Sequence, residues 1–137
     1  MITIIHILVV SSTLILVLFA DHYGYTWISG KTSLLDKNKL NKLHNYTWVG
    51  IILILITGGT IFYYDYKTLL SSYVFLLKMA FVTTLIVNSF SIGILKNIAT
   101  KHKFSDLSIK DKLPLIITGG TSTICWLGAL TCAFFIY

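Results

Sequence analysis

Four long apolar stretches decide what this chain can become. Residues 2–20, 47–64, 74–95 and 113–136 each come close to the roughly 20 apolar residues that a helix needs to cross a hydrocarbon core. Together they take up most of the 137 residues. A soluble domain of this size has no interior able to hide them, since 55% of the residues are hydrophobic and only 12% are charged. The expected fold is therefore all-α: an integral membrane, antiparallel four-helix bundle forming a single transmembrane domain over residues 1–137. The first stretch opens without a basic segment and runs into Asp21, His22 and aromatics rather than a small-residue cleavage site. It is expected to stay in the mature protein as a helix.

A net charge of +6 would suggest nucleic acid if the chain were soluble, but here the lysines follow the loops. Lys31, Lys37, Lys39 and Lys42 lie between the first and second stretches, and Lys96, Lys101, Lys103, Lys110 and Lys112 between the third and fourth. Only Lys67 lies between the second and third. Lysines resist translocation across an energised membrane, so both lysine-rich loops are expected in the cytoplasm. An even number of spans then puts both termini outside a plasma (inner) membrane. No nucleic-acid partner is expected, and the bilayer itself is the first partner.

Between the stretches the chain reads as short connections. Residues 65–73 predict a tight loop, which makes the second and third spans a hairpin. Ser33 followed by Asp36 resembles a helix start, and Leu40 and Leu43 share an apolar stripe flanked by Lys39 and Lys42, as in an interfacial helix. Pro114 is expected in the opening turn of the last helix, where its missing amide proton costs nothing. Tyr63, Tyr64, Tyr66 and Tyr73 would form an outer aromatic belt, with Tyr23, Tyr25, Trp27, Tyr46 and Trp48 forming an inner one. The string ITGGT occurs at residues 56–60 and 117–121 and reads as small-residue packing rather than as an internal repeat. Along the fourth span Thr118, Thr121, Cys125, Gly128 and Cys132 make one narrow face of small side chains, expected to pack on another helix. Asn88, deep in the third span, has to find a hydrogen-bond partner there, because hydrocarbon offers none. Cys125 and Cys132 stand about 10 Å apart on one helix and cannot bond to each other.

The residues most suggestive of chemistry are His6 and Lys78. Each lies about one turn into its span, and the two helices enter from the same side, so the side chains share one depth. An ammonium in the membrane has to snorkel, pair or lose its proton, and a neutral amine nitrogen is a metal ligand. The plainer reading has Lys78 lifted to the headgroups and His6 hydrogen-bonded at the interface. Met79 and Cys132 lie at a similar depth and would suit a soft metal. His22, His44 and His102 all fall toward the lysine-rich side, where a metal site or ordinary interfacial histidines are both open. Asp21 is expected to help end the first span. No nucleophile elbow, phosphate-binding glycine loop or zinc-spaced cysteine set is present, which argues against hydrolases and nucleotide-driven pumps.

A histidine early in the first helix (Ile5-His6-Ile7) and a lysine early in the third (Leu77-Lys78-Met79), in a small multi-span protein, resemble the HemJ-type protoporphyrinogen IX oxidases. That resemblance implies a b-type haem bound through His6 and Lys78 as its iron ligands. It further implies a membrane oxidoreductase that takes hydrogen from a porphyrinogen and passes electrons on, with a quinone as a conceivable acceptor. The chain is more distantly similar to copper-resistance D-type membrane proteins. Lys78 with Asn88, and Gly119–Trp126, are similar to small bacterial four-span proteins. Two alternatives stay open: a copper- or solute-handling protein using His6, Met79 and Cys132, and an accessory subunit of a homo-oligomer or larger membrane complex with no site of its own.

Overall fold

In a computed structural model, which describes residues 1–136, the chain is all-α, with no strand among the described residues. Tyr137, the last residue of the expected domain, lies outside them. Helix α1 spans Ile2–Ile28, α2 Lys37–Leu70, α3 Tyr73–Lys101 and α4 Ile109–Ile136, with a single 3-10 turn at Phe104–Asp106 before α4. All four helices are long and apolar enough to cross a membrane. Large side chains such as Ile4, Phe19, Phe90, Ile94 and Phe134 are exposed on the outside of the protein. In water that would be a liability; in lipid, whose tails are as apolar as leucine, it costs nothing.

Each helix extends beyond its apolar stretch, and specific contacts explain the extra turns. α1 does not stop at Asp21. It runs on to Ile28 because Trp27, only 3% exposed, packs with Leu35 and Ala99. The Trp27 indole donates to the His102 carbonyl at 3.1 Å and meets the Phe104 ring edge-on at 5.2 Å. Gly30, at φ +76°, then turns the chain in a conformation that other residues resist. α2 starts at Lys37, capped by Asp36, whose carboxylate accepts from the Asn38 amide at 2.8 Å. The start is thus at Asp36 rather than Ser33, and the expected interfacial helix is the first part of one continuous α2.

The loop expected over residues 65–73 is mostly helix. α2 kinks at Asp65, where the backbone leaves the helical region (φ −132°, ψ 30°), and continues to Leu70. Buried Leu69 anchors that last turn, and the Phe62 and Phe75 rings stack at 5.7 Å across the connection. Ser72 caps α3 by accepting from the Phe75 amide at 3.3 Å. α4 begins at Ile109, so Pro114 lies inside the helix, in its second turn rather than its first.

α1 packs most extensively on α2, and α3 on α4. At these crossings a glycine faces a larger side chain: Gly50 of α2 is in contact with Thr13 of α1, and Gly128 of α4 faces the Phe81 ring of α3. A core layer of Val17, Leu85, Cys125 and Trp126, with Ile54 against it, joins all four helices. The buried face of α4 is Ser122, Cys125, Trp126, Ala129 and Cys132, which shares only the two cysteines with the face read from sequence. Asn88 Nδ2 donates to the Thr118 carbonyl at 2.9 Å, as the sequence required. The ITGGT glycines are not where helices crowd most: Gly59, Gly119 and Gly120 have nothing within 4 Å of where a Cβ would stand.

These differences make a paired prediction. Gly50→Ala drives a methyl into Thr13 and should destabilise the fold by about 1–3 kcal/mol, the usual cost of overpacking. Gly119→Ala meets nothing and should be neutral or slightly stabilising, since alanine favours helix over glycine. Thermal melts of the two variants in one detergent, followed by circular dichroism, measure the difference.

Candidate functional site: a histidine and a lysine on one cavity

His6 reaches the α1–α2 contact from the first turns of α1 and is 5% exposed. Its Nδ1 lies 2.7 Å from Thr57 Oγ1 on α2. The Thr57 hydroxyl donates its one proton to the Leu53 carbonyl at 2.8 Å, as threonines in helices commonly do. Oγ1 therefore receives Nδ1–H, and in the neutral ring Nε2 is left as the lone-pair nitrogen. Histidines that ligate metals are held in this way, with the second ring nitrogen donating to an oxygen that fixes tautomer and orientation. Gly58 is part of the same fit: a Cβ there would stand 3.2 Å from His6 Cε1.

His6 and Lys78 line one cavity of about 580 Å³, bounded by all four helices. That size is within the range of pockets that hold small molecules and cofactors. Its wall is apolar, with Phe62, Phe75 and Leu130 among its residues, and His6 and Lys78 are the only titratable side chains on it among the described residues. Gly58 and Gly59 both line it, and open space stands where Gly59 would carry a Cβ. Two successive glycines thus leave a bare strip of α2 backbone along the cavity.

The other candidates are distributed differently. Met79 lines this cavity, and Cys132 is buried on α4 near Lys78 without being one of the lining residues. His22 and His44 line a second cavity at the opposite end of the helices, while His102 is exposed and is not part of it. Among the described residues no three His, Cys, Asp or Glu side chains are grouped to hold a metal ion.

Two residues here escaped the sequence reading. Thr57 was hidden in the repeated ITGGT string, although His6 and Thr57 stand at similar distances from the middle of the first loop, as partners in a helical hairpin do. Asp21, expected only to help end the first span, is half-buried inside α1 and accepts a hydrogen bond from Thr123 of α4 at 3.0 Å. No family model, no curated protein and no solved structure matches this chain.

The Thr57 contact has a direct test. Thr57→Val leaves a buried Nδ1–H without its acceptor and should cost about 1–3 kcal/mol. Thr57→Ser keeps the oxygen and should recover most of that loss. The comparison is made by denaturant titration of both variants beside the native chain.

Proposed function

We propose that this chain is a multi-pass plasma (inner) membrane protein that binds b-type haem between His6 and Lys78. In this reading the four spans are antiparallel, both termini face outward, and the lysine-rich loops lie in the cytoplasm. The distribution of lysines supports that orientation. Contacts of residue 6 with 57 and of Gly50 with Thr13 support opposite directions for α1 and α2.

One observation carries the haem reading: a buried imidazole, oriented through Nδ1 by Thr57, lines an apolar cavity together with an amine from another helix. The donor set fits the group, since imidazole nitrogen commonly ligates haem iron and a neutral amine nitrogen on the same cavity would be a second donor. Bound there, haem supplies reversible one-electron chemistry. The protein's own part is mechanical and electrostatic. His6 and Lys78 would hold the iron, and Thr57 keeps the imidazole in the ligating tautomer. Gly59 leaves room for a flat ring, and the apolar wall excludes water. Oxidation of a porphyrinogen with a quinone as electron acceptor rests on the resemblance to HemJ-type oxidases, as does any role as an oxidoreductase. Assembly into a homo-oligomer or larger complex would cover part of the exposed apolar surface.

The optical spectrum of protein purified from haem-replete cells tests the proposal. The native chain should show a Soret band that His6→Ala abolishes and that Lys78→Ala shifts or weakens. Gly59→Leu, which fills the cavity while leaving both ligands, should lower haem content several-fold. A colourless native protein, or a Soret band indifferent to His6→Ala, would overturn the reading; stoichiometric copper in a colourless preparation would favour the alternative.

A further inference from the structure

A second cavity, of about 780 Å³, opens at the end of the helices that carries the first and third loops. Trp126 is the one described residue that lines both cavities. Most of the second wall is apolar or aromatic, and it carries one carboxyl, Asp21 of α1, and one amine, Lys96 of α3. The two stand at different depths.

Asp21 is at the deep end. Its Oδ2 accepts from Thr123, which stands about 21 Å along the 28-residue α4, near the middle of that helix. Thr123 is its one polar partner among the described residues, which leaves Oδ1 without a hydrogen bond. No described side-chain oxygen or nitrogen is both sealed off and unpartnered, so Oδ1 is accessible, on the cavity that Asp21 lines. Lys96, by contrast, is about 8 Å from the loop end of α3, and its long stem lets the ammonium reach water at the rim. A carboxylate inside a membrane without a counter-charge is expensive and points to a functional role.

The backbone around it is cleared. One turn toward the loops, on the faces that carry Asp21 and Thr123, α1 has Gly24 and α4 has Gly119 and Gly120. All three line the cavity, and open space stands where each would carry a Cβ. The two helices thus present bare backbone to a slot that runs from the loop end up to Asp21. One turn beyond Thr123, buried Trp126 packs with Val17, itself one turn before Asp21, and closes the deep end. An apolar path therefore leads to a carboxylate with an indole beside it.

Charge selects what fits. An anion would be repelled by Asp21, and an uncharged apolar molecule would strip water from the carboxylate without replacing it. A metal ion would find too few ligands, since no three His, Cys, Asp or Glu side chains are grouped among the described residues. An organic ammonium answers both features of the deep end, because it neutralises the carboxylate and is attracted to an indole ring. We propose that this cavity binds an arylalkylammonium ion, with its cationic head deep on Asp21 beside Trp126 and its apolar arm between Gly24 and Gly119 toward the loops. Lys96, hydrated at the rim, is screened from the head and takes no part. The assignment is independent of the haem reading.

Equilibrium dialysis of 4-phenylbutyltrimethylammonium against the full chain in phosphatidylcholine nanodiscs, corrected for uptake by empty nanodiscs, tests it. The cation should bind at least roughly tenfold more tightly than its uncharged isostere with carbon in place of nitrogen, as expected for one partly buried charge pair. Asp21→Asn, which keeps an acceptor for Thr123, should erase that difference, while Lys96→Met should leave it intact. Gly119→Leu, which alters no charge, should weaken binding several-fold by filling the slot, and it keeps the test valid if Asp21→Asn fails to fold. Equal uptake of the cation and its isostere, a preference that survives Asp21→Asn, or binding indifferent to Gly119→Leu would overturn the proposal. So would a loss of cation binding in Lys96→Met as large as that in Asp21→Asn.

Discussion

Hydrocarbon neither donates nor accepts hydrogen bonds, and the arrangement of this protein depends on how its few intramembrane polar side chains meet that condition. Three of them reach across to another helix: His6 to Thr57, Asn88 to the Thr118 carbonyl, and Asp21 to Thr123. These contacts join α1 to α2, α3 to α4 and α1 to α4 in turn. Interhelical side-chain hydrogen bonds in membranes add only about 0.6 kcal/mol on average. Leaving a buried group unsatisfied costs more, about 1–3 kcal/mol. The contacts therefore act less as glue than as a constraint on helix rotation, because most alternative rotations would strand a polar group in lipid. Between α2 and α3 aromatic rings take over, with Trp48 against Phe90 at 4.9 Å and Phe62 stacked on Phe75.

That division explains what was legible in the sequence. The number and position of the apolar helices follow from composition and run length alone, and so does the need of Asn88 for a partner. Helix ends were misjudged because tertiary contacts set them. Nothing local predicts that α1 continues past Asp21; the burial of Trp27 against Leu35, Ala99 and Phe104 decides it. In the same way Leu69 draws the chain after Asp65 into a last helical turn that hydropathy reads as loop. Ser33 followed by Asp36 read as one helix start, and the geometry of the first loop makes Asp36 itself the cap. The repeated ITGGT string misled in another way. Its small residues suggested close packing, which Thr57 and Gly58 provide against His6, whereas Gly59, Gly119 and Gly120 face open space and the tightest crossings are at Gly50 and Gly128.

At the candidate site, the sequence showed that His6 and Lys78 share a depth but not which way either faces. Facing depends on helix rotation, and rotation depends on pairings such as His6 with Thr57 that no single helix reveals. Asp21 illustrates the same point: an acidic residue near the end of an apolar run reads as a span boundary, and nothing local reveals that a threonine on a helix distant in sequence donates to it. The resulting protein has two chemically different halves. One end encloses an apolar cavity that carries His6 and Lys78, the other a largely apolar, aromatic-lined one that carries Asp21 and Lys96, and a layer of Val17, Leu85, Cys125 and Trp126 lies between them.

The convergence of residues 6 and 78 from separate helices underlies the functional account, and chemical cross-linking in the membrane measures it directly. In a chain with Cys125→Ala and Cys132→Ala, cysteines introduced by His6→Cys and Lys78→Cys should be joined by a short bifunctional thiol reagent added to intact membranes. A control pair made by Ile4→Cys and Lys78→Cys, with Ile4 exposed on the outside of α1, should react far less. If the 6–78 pair stays unlinked while each cysteine alone is shown to be reactive, the two side chains do not share a cavity and the ligand pair is ruled out.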